Sequence, residues 1–301
     1  MPKATDSAHL TGKTLLPTAI SSWEMFMYDQ GRSPNTVKAF LSDVRLLTHF
    51  LPPDQSLGNI TTDELNRFFS WMEKERGIPC SPKTLSRRIT SVKSFFRWLK
   101  QYGVLSIDPA EKVVQRSAIS PLPQVLTNDE YETALLVADR QRRNTKRKTD
   151  ARSFTLLYLL LTTGIKKSEC LGIHVNHIDL EAKSGPHVFI RYSSPANRYK
   201  ERKIKLQDDW IVAYKEYLAQ YKPVDKVFAW SPRRLEYLLE DIGAEAGLTK
   251  HLSFDMCRWT CALRDYQTGM EADAIRQKLG VSKIQWRELF IKIKQLNGEM
   301  K

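Results

Sequence analysis

The sequence predicts a mostly α-helical chain with one small antiparallel β-sheet, organised as two domains. Three observations lead there. The chain has 301 residues, more than one average domain of about 100–200 residues. Apolar residues recur every three or four positions through most of its length, the signature of amphipathic helices. A single stretch, 187–206, reads instead as a hairpin, with two strand-like runs on either side of a loop rich in serine, proline and asparagine.

Composition narrows the function. Hydrophobic residues at 42% and charged residues at 27% fit a soluble globular protein. Lysine and arginine total 47 against 34 acidic residues, a net charge of +13. Such an excess points to a polyanion, with nucleic acid the leading partner and an anionic membrane surface the competing one. No apolar run approaches the roughly 18 residues of a spanning helix, and no signal-like leader is present. A cytoplasmic, nucleoid-associated address is therefore expected. Cys80, Cys170, Cys257 and Cys261 are scattered apart from the last pair and read as small buried hydrophobes in a reducing compartment. His174 and His177 lack a second ligand pair, so a metal is not expected.

Residues 1–16 show no periodicity and carry Lys3 and Lys13, which suggests a flexible basic arm. A helix starts near Thr18, with Trp23, Phe26 and Met27 on one face, and closes at Gly31. Ser33-Pro34 sets a second start, a capping serine with proline at the first helical position. Val37, Phe40, Leu41, Val44, Leu47 and Phe50 then recur at helical spacing. Thr61 to Glu64 forms a capping box ahead of Leu65, Phe68, Phe69 and Met72. Ser81-Pro82 opens a fourth helix that ends at Gly103. Its apolar face is broad, and Arg87, Arg88 and Lys93 lie among its cations. The adjacent arginines beside Ser86 and Thr90 suggest phosphate contacts, against the simpler reading of a solvated basic face.

Pro109, Pro121 and Pro123 break the pattern over 105–123, which reads as an interdomain linker. Thr127 to Glu130 is another capping box, opening a helix expected to run through Ala138. The chain's densest cationic run follows and includes Arg142, Arg143, Lys146 and Arg147. It is read either as a solvated loop or as an electrostatic tether. Phe154 to Thr163 is almost continuously apolar and ends at Gly164, as a buried helix does. A short helix, the hairpin with strands at 187–192 and 200–206, and five further helices complete the chain. Those helices are placed at 208–220, 232–246, 254–270, 272–279 and from Lys283 onward.

This order of elements carries three local motifs: Thr163-Gly164-Ile165-Lys166-Lys167-Ser168-Glu169-Cys170-Leu171-Gly172, Lys200-Glu201-Arg202 and Leu279-Gly280. Together they resemble the tyrosine recombinase (phage integrase) superfamily over about residues 18–295. The resemblance implies a helical core-binding domain at 17–104 and a catalytic-type domain at 124–301, which together clamp double-stranded DNA. In active members a tyrosine attacks the phosphate, two arginines hold its charge, a hairpin lysine protonates the leaving oxygen, and histidines or a tryptophan complete the pocket. No metal or nucleotide takes part.

Carried over position by position, the resemblance leaves little of that chemistry. Lys166 stands at the first arginine and lacks the planar fork. Glu169 matches the acidic residue of the same helix. Asn197 falls at the hairpin lysine, with Arg198 or Lys200 able to take its place if the turn slips. Asp255 replaces a histidine, Arg258 matches the second arginine, Val281 replaces the second histidine, and Phe290 occupies the nucleophile position. Phenylalanine has no hydroxyl with which to attack. For Arg258 the alternative to a phosphate contact is a structural salt bridge to Asp255 or Glu169. Lys166, Arg198, Lys200, Arg202 and Arg258 join the helix cations as expected DNA contacts.

The sequence thus describes a catalytically inactive, recombinase-like DNA-binding protein, architectural or regulatory, acting as a homo-oligomer on DNA or beside an active recombinase. The alternative is a diverged active recombinase or integrase using Ser282, Tyr266 or a tyrosine from another subunit. A third reading turns the clamp toward protein or RNA, with Ile291 to Leu296 docking on a neighbour.

Overall fold

The computed structural model describes residues 10–78, 80–115, 121–143 and 149–299. The chain forms two compact units, Met1–Pro121 and Leu122–Lys301.

The first unit is helical: α1 (Leu16–Asp29), α2 (Pro34–Arg45), α3 (Thr62–Lys74) and α4 (Pro82–Gln101). The serine-proline starts act as expected, with the Ser33 and Ser81 side chains accepting from the N–H groups of Thr36 and Thr84. Thr61 and Glu64 close a reciprocal capping box on α3. Each cap satisfies donors that a helix N-terminus otherwise leaves unpaired. The second helix ends earlier than its apolar spacing suggests, because a 3₁₀ turn, Leu46–His49, takes over and still buries Leu47. Trp23, Phe68, Phe95 and Phe96 fill the core.

Two expected segments behave differently. Of the basic arm, residues 1–9 lie outside the described residues, whereas Leu10 packs against the core, the Gly12 carbonyl accepts from Gly58 N–H at 2.7 Å, and α1 begins at Leu16. Of the expected linker, Leu105, Ala110 and Val113 are buried in the same core. Apolar residues spaced too irregularly to show a period can still fill a core from a loop.

The second unit contains α5 (Asn128–Arg143), α6 (Arg152–Thr163), α7 (Lys167–Leu171), β1 (Ile178–Asp179), β2 (His187–Ile190), β3 (Arg202–Lys205), α8 (Asp208–Tyr221), α9 (Pro232–Glu245), α10 (Phe254–Gln267), α11 (Ala272–Leu279) and α12 (Lys283–Leu296). Helix α6 is the hub, with Leu156, Leu157, Leu159 and Leu160 fully buried among α5, α8, α9 and α10. The hairpin is present in shorter form, pairing His187 with Lys205 and Ile190 with Arg202. A two-residue strand, β1, extends it to an antiparallel order β1-β2-β3. Two residues are too few to show strand alternation.

Helix α5 also outruns its expected end at Ala138. Arg142 and Arg143, assigned from sequence to a cationic loop, form its last turn because both pair with Asp139 one turn back. Lys146 and Arg147 lie outside the described residues. The four cysteines are free thiols, and Cys170, Cys257 and Cys261 are buried. Among the described residues no helix is long and apolar enough to cross a membrane, and no group of three or more His, Cys, Asp or Glu could hold a metal ion.

Candidate functional site

The residues singled out from the sequence converge, in part, on one cleft in the second unit. The cleft has a volume of about 350 Å³ and is lined by Lys166, Lys167, Glu236, His251, Asp255 and Arg258, with the N-terminus of α10 at its wall. Gly164 makes the turn that delivers Lys166. Its φ of +61° suits glycine, and a Cβ there would meet the Leu279 side chain at 2.8 Å.

Arg258 is buried but forms neither expected salt bridge. Its Nη1 donates to the Gly164 carbonyl at 2.5 Å and its Nη2 to the Leu279 carbonyl at 2.8 Å. Both acceptors sit at helix C-termini, where unpaired carbonyls gather partial negative charge. Arg258 thus ties the ends of α6 and α11 to α10.

Glu169 pairs with a different arginine. Its two oxygens accept from Arg202 Nη1 at 3.0 Å and Nη2 at 2.9 Å, a forked ion pair closed off from solvent on both sides. The Tyr192 hydroxyl and the Lys166 N–H add two further donors. Burial pushes the Glu169 carboxyl up, but Arg202 foremost, then Tyr192 and the Lys166 N–H, outweigh it and hold the group below its ordinary 4.5. Arg202 also donates to the Lys278 and Lys200 carbonyls. Its guanidinium occupies the space where a Cβ on Gly280 would fall.

Lys166 is half-buried beside this group. Burial lowers the pKa of its ammonium, and Arg258, Lys200 and Arg202 lower it further against the pull of Glu169. Lys166 thus shares its surroundings with three other cations, while the one carboxylate acting on it, Glu169, is committed to Arg202. In the hairpin connection, Lys200 Nζ donates to Asn197 Oδ1 at 2.8 Å, so the lysine and asparagine side chains are neighbours. Asp255 is exposed in the first turn of α10.

The remaining positions lie elsewhere. Val281 is buried in the small apolar cluster of α10, α11 and α12. Phe290 stacks on Trp286 at 5.2 Å and meets the Tyr266 ring edge-on at 5.7 Å, and neither it nor Val281 lines the cleft. The Tyr266 hydroxyl donates to Glu299, and Ser282 caps α12.

Among the expected DNA contacts, Arg142 and Arg202 are paired within the protein. Arg142 is 7% exposed, paired with Asp139 and Glu216 and set over the Phe154 ring. Arg202 is sealed against Glu169. To reach a phosphate Arg202 would have to abandon a buried carboxylate, and Arg142 two partly exposed ones. Arg198 and Arg143 are exposed, and Lys93 is half-buried with its ammonium on the Glu111 carbonyl. Arg87 and Arg88 face Asp43 of α2, a buried carboxylate that the sequence reading missed. It had a signal: Asp43 lies three residues after Phe40 and four before Leu47, a charge inside an apolar stripe.

Comparison with known proteins matches this architecture. Residues 20–103 match the phage integrase N-terminal SAM-like domain and residues 124–291 the phage integrase family. The chain is 24% identical to the tyrosine recombinase XerD of Listeria innocua over 282 residues, 89% of this chain and 91% of that one. It is 30% identical to XerC of Mycobacterium leprae over 171 residues, 56% and 54% of the two chains. Among solved structures, the XerH site-specific recombinase bound to palindromic difH substrate superposes with a TM-score of 0.72 at 21% identity, covering 93% of this chain and 83% of that one. A lambda integrase dimer bound to a COC′ core site gives 0.71 at 14% identity, covering 92% and 77%.

Proposed function

Because the chain belongs to the phage integrase family, we propose that it grips double-stranded DNA as its relatives' folds do but does not cut it, serving an architectural or regulatory role. One observation carries the reading: Phe290, at the nucleophile position, offers no hydroxyl, and its ring is occupied in packing with Trp286 and Tyr266 outside the cleft. Around it, Lys166 replaces a forked donor by a point charge, and Asp255 adds negative charge where a phosphate would sit.

What remains suits phosphate binding. Lys166 and the buried Arg258 line one cleft with positive charge, Lys200 is near enough to lower the Lys166 pKa, and the net charge of +13 extends attraction across the chain. The partners on this reading are duplex DNA and either a second copy of the chain or an active recombinase.

The test is duplex binding by fluorescence anisotropy across a salt series. Several phosphate contacts give a steep fall of affinity with salt, about 0.9 log units per log unit for each contact. A flat dependence sinks the DNA reading and favours a protein or RNA partner. One observation supports a second reading, a diverged enzyme: the Tyr266 hydroxyl belongs to the ring packed against Phe290. That reading requires a covalent protein–DNA adduct.

A further inference from the structure

We propose that Asp43 is a positioning residue for DNA binding: a buried carboxylate that holds Arg87, with Arg88 beside it, for contact with a backbone phosphate. The inference rests on the DNA-binding reading and adds to it a residue that would never touch the nucleic acid.

Asp43 is 2% exposed, on the inner side of α2. Its Oδ2 accepts from Arg87 Nη1 at 2.5 Å and from Ser91 Oγ at 2.8 Å, and its Oδ1 lies 3.7 Å from Arg88 Nε. All three partners come from α4. The Arg87 side chain is nevertheless 44% exposed, and the Arg88 side chain is 14% exposed with Nη1 on the Cys80 sulfur at 3.2 Å.

This is an uneconomical way to join two helices. Burying a carboxylate carries a desolvation penalty, and well-packed apolar residues serve at least as well where cohesion is the only need. Burial indeed drives the Asp43 carboxyl above its ordinary 3.8 despite three favourable partners. The arrangement makes sense for orientation. Among the described residues, Arg87 makes its hydrogen bonds through Nη1 alone, to Asp43 and at 3.5 Å to the Ala39 carbonyl. Its Nε and Nη2 keep donors for a phosphate, in the fork geometry that a lysine lacks. Fixing the side chain in advance removes ordering entropy that binding would otherwise have to supply.

Opposite signs make the proposal testable. Asp43→Asn removes a negative charge, so net charge alone predicts tighter DNA binding, whereas loss of positioning predicts weaker binding. In the full-length chain we expect D43N to bind a labelled duplex roughly 5- to 10-fold more weakly, by freeing one arginine that binding must then order. The salt slope should fall by about 0.9 for each phosphate that is no longer neutralised. Arg87→Lys, which keeps the charge and loses the fork, should match it. Binding by D43N equal to or tighter than wild type overturns the proposal, as does wild-type affinity in R87K. Circular dichroism and thermal melting establish that each variant is folded. If D43N is not, Ser91→Ala keeps every charge, removes one donor from Asp43, and should weaken binding about 2-fold. Unchanged affinity in a folded S91A then overturns it. Salt-independent binding by the wild type would instead remove the DNA reading itself, a failure distinct from a D43N result on a wild type that binds.

Discussion

Asp43 in the first unit and Glu169 in the second are both buried carboxylates answered by arginine, but they treat their arginines differently. Arg202 is 9% exposed and gives both prongs of its fork to Glu169, with its Nε on a backbone carbonyl. Arg87 is 44% exposed and gives one nitrogen. An arginine whose donors are spent inside the protein holds helices and strands in place, whereas one that keeps donors at the surface remains available to a ligand. The pKa directions agree. Full pairing holds Glu169 below its ordinary value, whereas partial pairing leaves Asp43 above its own.

The largest effect that would break this contrast is on stability. Arg202→Met leaves Glu169 charged, buried and short of its main partner, and should cost about 3–5 kcal/mol in denaturant unfolding. A loss under about 1 kcal/mol would show that the pair is no internal strut. Gly280→Ala tests the same strut from the other side. With φ at +60° and the Arg202 guanidinium in the way of the new Cβ, it should cost about 1–3 kcal/mol, where a site with open space would give less. The smallest effect is in pH. Glu169, lowered in the fold, stabilises above 4.5, and that stability is lost as pH falls through its lower folded value. Asp43, raised in the fold, behaves oppositely. Its ionisation weighs against folding at neutral pH, and that burden is relieved as pH falls through its raised value toward 3.8. Carboxyl-carbon NMR titration should place Glu169 below 4.5 and Asp43 above 3.8, and either group on the other side of its ordinary value would undo the comparison.

Much of this was legible in the sequence wherever the signal was local. Caps at Ser33, Thr61, Ser81 and Thr127 need only three or four residues to be recognised, and all four form. The proposed substituted positions rest on local signals too, the motifs around Gly164, Arg258 and Gly280. Pairing across long separations was not legible. Nothing near Glu169 announces that its partner is Arg202 rather than Arg258, and nothing near Arg258 announces that it ends on two backbone carbonyls. Charge counting likewise could not show that Arg142 and Arg202 are closed off from solvent, since composition carries no information about burial. The strand β1 escaped for want of length, and α5 ran on because its arginines found Asp139.

The central claim, a grip on DNA without strand cleavage, is tested most directly by mixing the protein with a nicked duplex that traps any cleaved strand. The account predicts a bound complex but no denaturant-resistant adduct. It predicts the same for Phe290→Tyr alone, since Lys166, Asn197 and Asp255 remain in place and position 290 lies outside the cleft. A covalent band from the wild-type chain that disappears on Tyr266→Phe would contradict it.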